Sequence, residues 1–192
     1  MLETEYKSII TREVYDRIKE HYKWDWIKHQ INSYYVDEAG ELGKRHTVVR
    51  VREKDGRFAV QVKAHKNPGE ALQVCEETEF PADGAPEEFS AEDGYRFTGV
   101  KTGRLKKAGS LDTLRHSLMW NENTEICLDK SEYFDMCDYE VEVEYTGEMP
   151  AELMDELSSM GVEFKEKSVG KYTRFIRRLR EIIALAKAEP TS

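Results

Sequence analysis

The sequence predicts an α+β fold in which antiparallel strands form the framework and amphipathic helices flank them. Three observations carry that prediction. Charged and apolar residues alternate over residues 1–7, 46–53, 58–64 and 138–146, and a period of two puts alternate side chains on opposite faces of a strand. The pair Asp55-Gly56 separates two of those stretches, a strong hairpin signal. Three other segments repeat apolar residues every three or four positions, as a helix with one buried stripe does. The alternation fits a sheet with one solvated face and its core behind it. It fits equally a closed barrel with a charged interior and helices over its apolar outside, and the pattern alone leaves both open.

The elements follow in order. Glu3, Glu5 and Lys7 stand two apart, with Leu2, Thr4 and Tyr6 between them, so a strand here lines two carboxylates and an ammonium on one face. Crowded like charges need a cation or a positive neighbour. Thr11 is the N-cap expected for a helix reaching Tyr22, with Val14, Ile18 and Tyr22 as its stripe. Residues 30–36 read as a strand by their β-branched and aromatic content, and Asp37 to Lys44 as a polar loop. In the hairpin, Arg50 and Arg52 share a face opposite Val49 and Val51, and Gln61 and Lys63 one opposite Val60 and Val62.

A strand at 72–80 brings Glu76, Glu77 and Glu79. Residues 81–109 predict one or two short helices, with Arg104, Lys106 and Lys107 as a solvated helix face. Strands follow at 111–120, 124–130 and 138–146, the last with Glu140, Glu142 and Glu144 on one side and Val141 and Val143 on the other. Pro150 opens a helix that Gly161 ends. A short strand near 162–167 leads to a final helix over 168–188, with Phe175, Ile176 and Leu179 inward and Arg177, Arg178 and Arg180 towards water.

The length of 192 residues suits one domain over 1–192. Charged residues make up 35 % of the chain, above the usual quarter, so charge must coat the surface or fill something polar. A net charge of −9 argues against nucleic acid as a partner. No apolar run reaches a membrane span and no leader is evident, so no membrane partner and a cytoplasmic location are expected. Cys75, Cys127 and Cys137 match no zinc spacing and read as buried free thiols, and the five scattered histidines make a histidine-ligated metal unattractive.

The charged blocks, taken in order, resemble the CYTH superfamily, the triphosphate tunnel metalloenzymes. Glu3-x-Glu5-x-Lys7 is similar to the family's N-terminal signature, Arg50-Val51-Arg52 to its paired-arginine strand, and Glu76-Glu77-Thr78-Glu79 to its acidic strand. Ser110 to Arg115, Leu128-Asp129, Glu140-Val141-Glu142 and Gly170-Lys171-Tyr172 resemble its later blocks. The chain departs from the pattern at Tyr34-Tyr35-Val36, where an Asp arrives one place late, as Asp37. The resemblance implies a closed eight-stranded antiparallel β-barrel with flanking helices, binding a small-molecule triphosphate and Mg2+ or Mn2+.

Carried onto this chain, the resemblance implies metal ligands among Glu3, Glu5, Asp129, Glu140 and Glu142, since hard cations prefer carboxylate oxygen. It implies phosphate binding by Lys7, Arg50, Arg52, Lys63, Arg115 and Lys171, with planar arginine forks and lysine point charges. Catalytic roles fall to Lys63 beside Tyr34, or to a metal-bound water near Glu79, the acid expected to face the tunnel, or near Glu142. Hydrolysis of a terminal phosphate, with inorganic triphosphate first and then thiamine triphosphate or a nucleotide, is the activity implied. A class IV adenylate cyclase and a non-catalytic polyphosphate- or nucleotide-binding module are the alternatives, and the chain fits a monomer or a homodimer.

Overall fold

The computed structural model describes the backbone of residues 2–65, 73–164 and 169–188, with side chains except at 2–4, 65 and 73–75. Strand β1 (Leu2–Ile10) leads to helix α1 (Arg12–His21), whose first turn is capped by Thr11 accepting from the Val14 N–H. Strand β2 (Trp26–Asp37) ends in the short helix α2 (Glu41–Lys44). Strands β3 (Thr47–Lys54) and β4 (Arg57–His65) form the expected hairpin. Both of its central residues, Asp55 at φ 53° and Gly56 at φ 71°, take the left-handed conformation that a two-residue turn between twisted strands demands.

Strand β5 (Gln73–Ala82), the two-residue β6 (Glu88–Phe89) and helix α3 (Ala91–Thr98) follow. Then come β7 (Leu105–Asn121), β8 (Thr124–Tyr133), β9 (Met136–Tyr145), α4 (Ala151–Ser159) and α5 (Lys171–Ala188). The sheet is antiparallel, in the order β2-β3-β4-β5-β1-β9-β8-β7-β6, and β2 also pairs with β7, from Trp26 opposite Ser117 to Asp37 opposite Leu105. Nine strands are present among the described residues rather than eight, because Glu88 and Phe89 add a short ladder beside Lys106 and Leu105. Strand β7 begins well before the expected residue 111 and carries Lys106 and Lys107, which are therefore on a strand and not on a helix. The strand expected near 162–167 is absent from residues 162–164, and 165–168 lie outside the described residues.

Two apolar cores lie against the uncharged face of the sheet. One joins Ile126, Leu128, Val141 and Val143 to Tyr15 and Ile18 of α1 and Leu153 and Leu157 of α4. The other joins Val49, Val51, Val60 and Val62 to Leu42 of α2 and Phe97 of α3. Helix α5 does something different from the expected outer cover. Its Phe175 packs with Tyr34, Val48, Leu111 and Tyr133. Those four residues are in step with the charged positions of their strands, so the final helix seats at one end of the charged face. Gly109, at φ 141°, permits this, because a Cβ there would lie 3.0 Å from the Phe175 ring.

Candidate active site

The charged face is built by period-two alternation on seven strands. Glu5 and Lys7 of β1 stand opposite Glu144 and Glu142 of β9. Asp129 of β8 stands opposite both Arg115 of β7 and Glu140 of β9. Arg50 and Arg52 of β3 face Gln61 and Ala59 of β4, and Lys63 and Gln61 face Glu77 and Glu79 of β5.

Carboxylates dominate the β1, β8 and β9 side. Glu5, Glu142 and Glu144 bring ligand oxygens within 4.8 Å of one another, and so do Asp129, Glu140 and Glu142. The second group is buried and threaded with cations. Arg115 donates from Nε and Nη2 to both oxygens of Asp129, at 2.8 and 2.7 Å, and from Nη2 to Glu142. Lys171, at the start of α5, reaches Asp129 at 2.9 Å, Glu142 at 2.6 Å and Glu140.

Burial works against ionising Asp129, but Arg115 and Lys171 win and hold it below the usual carboxylate range. The same contest, with Lys171, Arg115 and Lys7 against burial, holds Glu142 well below it. Burial prevails at Glu140, whose carboxyl is pushed up despite Lys171. Lys7 lies 2.5 Å from Glu5.

The β2, β3 and β4 side is cationic. Arg50 donates to Gln61 at 2.8 Å, and Gln61 in turn donates to Glu79 at 2.8 Å. Lys63 is 2.9 Å from Glu77, which also lies 3.9 Å from Arg50. Arg52 donates to the Asn32 side-chain oxygen at 3.0 Å and has no carboxylate within ion-pair distance among the described residues. Burial, with Arg50 and Arg115 nearby, pushes its guanidinium down to about 9. Such a like-charge cluster is relieved by an anion.

Of the residues named from sequence, Glu5, Lys7, Arg50, Arg52, Lys63, Glu79, Arg115, Asp129, Glu140, Glu142 and Lys171 are thus carried on one face. The Glu3 side chain lies outside the described residues. Tyr34 is set in an aromatic cluster, its ring centroid 5.2 Å from Tyr172 and 5.0 Å from Phe175, while the ammonium of Lys63 lies on Glu77. Asp37 is occupied in the fold, accepting from the N–H groups of Glu41 and Leu42 at 2.6 and 3.1 Å to start α2. Cys127 is buried and Cys137 exposed, the latter against expectation, because the end of the β8–β9 hairpin is uncovered.

Sequence reasoning passed over three participants. Glu77, two positions before Glu79, shares its face by alternation, and the β4–β5 register sets it opposite Lys63. Glu144, at the end of its strand and not among the ligands the resemblance implies, lies 3.6 Å from Arg115. Arg174, one turn after Lys171 and so on the same helix face, donates to Asp138 and Glu140 at 2.7 Å each. Its other terminal nitrogen, Nη2, is buried without a partner among the described residues.

Carboxylates on one side and arginines and lysines on the other are the donor types that a hard cation and a polyanion would each require. The family model of the CYTH domain matches residues 1–176, and the chain belongs to the CYTH domain family. Among its relatives is YjbK of Bacillus subtilis strain 168, described as a candidate triphosphatase, which is 26 % identical over 147 residues, covering 74 % of this chain and 77 % of that protein. A solved structure of a candidate adenylate cyclase from Bacillus halodurans has a TM-score of 0.68 at 24 % identity, covering 90 % of this chain and 96 % of its own. That of HpAC1 from Hippeastrum, a candidate adenylyl cyclase with a dominant triphosphatase activity, has a TM-score of 0.73 at 19 % identity, covering 92 % and 96 %. These two likenesses establish the fold.

Proposed function

We propose that the chain is a divalent-metal-dependent triphosphatase that hydrolyses the terminal phosphate of a small triphosphate, with inorganic triphosphate the leading substrate. The observation that carries this reading is the division of one face into a carboxylate side, around Glu5, Glu142 and Glu144, and an arginine side, around Arg50 and Arg52, with Arg115 between them, bonded to Asp129 and Glu142 and close enough to act on Arg52. A module built only to hold an anion has no use for so many buried carboxylates. We also read the eight long strands as the wall of a closed tunnel. The β2–β7 ladder, which links the first long strand of the order to the last, supports that reading.

The all-oxygen donor set suits Mg2+ or Mn2+. Glu5, Glu142 and Glu144 would hold the metal, with Glu3 two positions earlier on β1. Asp129 and Glu140 also belong to the candidate ligands; Asp129 shares Arg115 and Lys171 with Glu142, Glu140 shares Lys171 and also holds Arg174, and in this reading the two orient those cations. A bound metal would neutralise phosphate oxygens and help position the attacking water. The rest falls to the chain's own groups. Arg50, Arg52 and Arg115 present planar forks to the phosphate oxygens, while Lys7, Lys63 and Lys171 add charge where it develops in the transition state.

Three residues were assigned chemistry from sequence, and they divide by setting. Tyr34 is held among rings and Lys63 on Glu77, which suits a phosphate-binding cation. Glu79, exposed and hydrogen-bonded through Gln61, is the proposed proton acceptor from water.

A panel of inorganic triphosphate, thiamine triphosphate and ATP, each with Mg2+ and with Mn2+, tests the reading. Phosphate release that disappears in chelator is expected, with ATP giving phosphate or nothing. Cyclic AMP plus pyrophosphate from ATP would make the chain a cyclase instead, and tight binding without turnover would make it a binding module.

A further inference from the structure

Two features away from the charged face match one another. The first is the end of α5 (Lys171–Ala188), which continues for about three turns past residue 176, where the match to the family model stops. Its last turns have no cover, with Ile183 46 % and Leu185 61 % exposed. Ile176, Arg180, Ile183 and Lys187 recur at spacings of four, three and four, so they share one side of the helix. Arg177, Arg180 and Lys187 are exposed and meet no carboxylate within ion-pair distance among the described residues.

The second feature lies on the outer face of the sheet. Helices α1 and α4 pack on β8 and β9 there, and α2 and α3 on β3 and β4. Between these covers the middle of β2 and β7 carries no helix among the described residues. A groove of about 520 Å³ opens at that place, and Ile31, Glu53, Ala85, Asp112, Glu132 and Phe134 line it. Ile31 stands opposite Glu53 of β3 and Asp112 of β7, and Asp112 opposite Glu132 of β8. Glu53 meets no cation within ion-pair distance among the described residues. Asp112 lies 2.6 Å from His29, and Glu132 lies 2.9 Å from Lys130. Lys107 is the cation of the lining, 3.9 Å from Glu87.

The two patterns have nearly the same pitch. Along the helix, Arg180 and Lys187 are about 10.5 Å apart with Ile183 between them. Across the sheet, Glu53 and Asp112 are two strand spacings apart, about 9.6 Å, with Ile31 between them. A helix laid across the strands with its C-terminal end towards β3 sets Lys187 at Glu53, Ile183 on Ile31 and Arg180 at Asp112. Arg177, one turn earlier, then comes to Glu132. We infer that the chain forms a two-fold dimer in which the end of α5 from each copy lies in the β2–β7 groove of the other. Phe134 lines the groove and its ring centroid is 4.8 Å from that of Phe175 on α5. Groove and helix therefore lie at one end of the molecule, where a single two-fold axis can form both contacts at once. Each contact has an apolar centre with opposite charges around it, which fixes its register. The inference uses no residue of the charged face and does not depend on the reaction.

Sedimentation equilibrium of the full chain tests this with a charge swap. The wild type should dimerise. Arg180→Glu/Lys187→Glu, which reverses the helix, and Glu53→Lys/Asp112→Lys, which reverses the groove, should each raise the dissociation constant at least tenfold, with native circular dichroism. Mixing the two variants should restore association, because each copy then offers the charge that the other lacks. The variant carrying all four substitutions should dimerise by itself. If the groove reversal does not fold, Glu53→Gln/Asp112→Asn removes the charge without reversing it and should also weaken the dimer. A wild type that stays monomeric up to its solubility limit overturns the inference, and leaves the groove to a basic helix of another protein. Weakening by the helix reversal with no effect of either groove variant also overturns it, since the α5 ends would then pair with each other. Failure of the two folded reversed variants to associate on mixing removes the proposed pairing as well.

Discussion

At the scale of single residues, Arg52 is the most informative side chain. It is the one arginine of the β3 pair left without a carboxylate among the described residues, so a phosphate would be its first charged partner. Arg52→Lys keeps the charge but loses the planar fork. A fall of more than tenfold in kcat/KM is expected, on the order of 1.4 kcal/mol or more of transition-state stabilisation, with native circular dichroism. Arg180→Lys is the fitting control, since Arg180 is exposed. Arg178 is not suited to that purpose, because it holds both oxygens of Asp135 at 2.7 and 2.5 Å.

Asp129 supplies a pH test at the same scale. Its folded-state pKa is depressed, so its pairing with Arg115 and Lys171 contributes stability above the unfolded pKa of about 3.9. That contribution is lost as pH falls through the lower folded value. In Asp129→Asn the midpoint of denaturant unfolding should therefore lose part of its dependence on pH below about 4, and an acid limb identical to wild type would remove the proposed linkage.

At the scale of elements, α5 joins the two kinds of chemistry in the molecule. Its first turn delivers Lys171 and Arg174 to the buried carboxylates, and its next turn delivers Phe175 to the aromatic cluster. Removing the ammonium with Lys171→Met leaves Asp129, Glu140 and Glu142 with Arg115 and Arg174 but one cation short, and breaking such a buried network by one partner costs about 3–5 kcal/mol. Thermal unfolding should show the loss, and added Mg2+ should raise the melting temperature of this variant more than that of the wild type, since a divalent ion can take the vacated charge. An equal metal response in both proteins would mean that the cluster around Lys171 does not admit a cation. Gly109→Ala tests the same seat from β7. A residue strained at φ 141° with its Cβ against Phe175 should loosen α5, seen as faster hydrogen exchange over 171–178 with exchange in α1 and α4 unaltered.

At the scale of the whole molecule, the arrangement of the sheet decides which residues can meet. If the eight long strands close as proposed, neither β2 nor β7 is an edge. Amide exchange in both should then occur only by global unfolding, whereas β6, two residues long, should exchange freely. Fraying of β2 at the rate of β6 would mean that the sheet opens there in solution. Such closure would also account for a chain so rich in charge. A ring of strands can keep its charged face in one compartment while α1, α2, α3 and α4 cover the apolar face outside.

Much of this was legible in the residues themselves, and the reason is period. Side chains on a strand alternate strictly, so Arg50 with Arg52 and Glu140 with Glu142 had to share faces wherever the strands lay. The Thr11 cap, the Asp55-Gly56 turn and the apolar stripes of α1 and α4 are equally local, each set by a few adjacent residues. Pairing across strands is not local. Whether Glu76 or Glu77 meets Lys63 depends on the β4–β5 register, and a slip of one residue reverses every face. The place of α5 depends on what its stripe finds. Phe175 looks the same in sequence whether it covers the outside of a sheet or closes one end of the charged face, and only the gap beside Gly109, framed by Tyr34, Leu111 and Tyr133, settles it. Sequence determined which charges stand side by side along each strand. Tertiary structure decided which strands face one another, and so which cations keep a carboxylate and which are left for a phosphate.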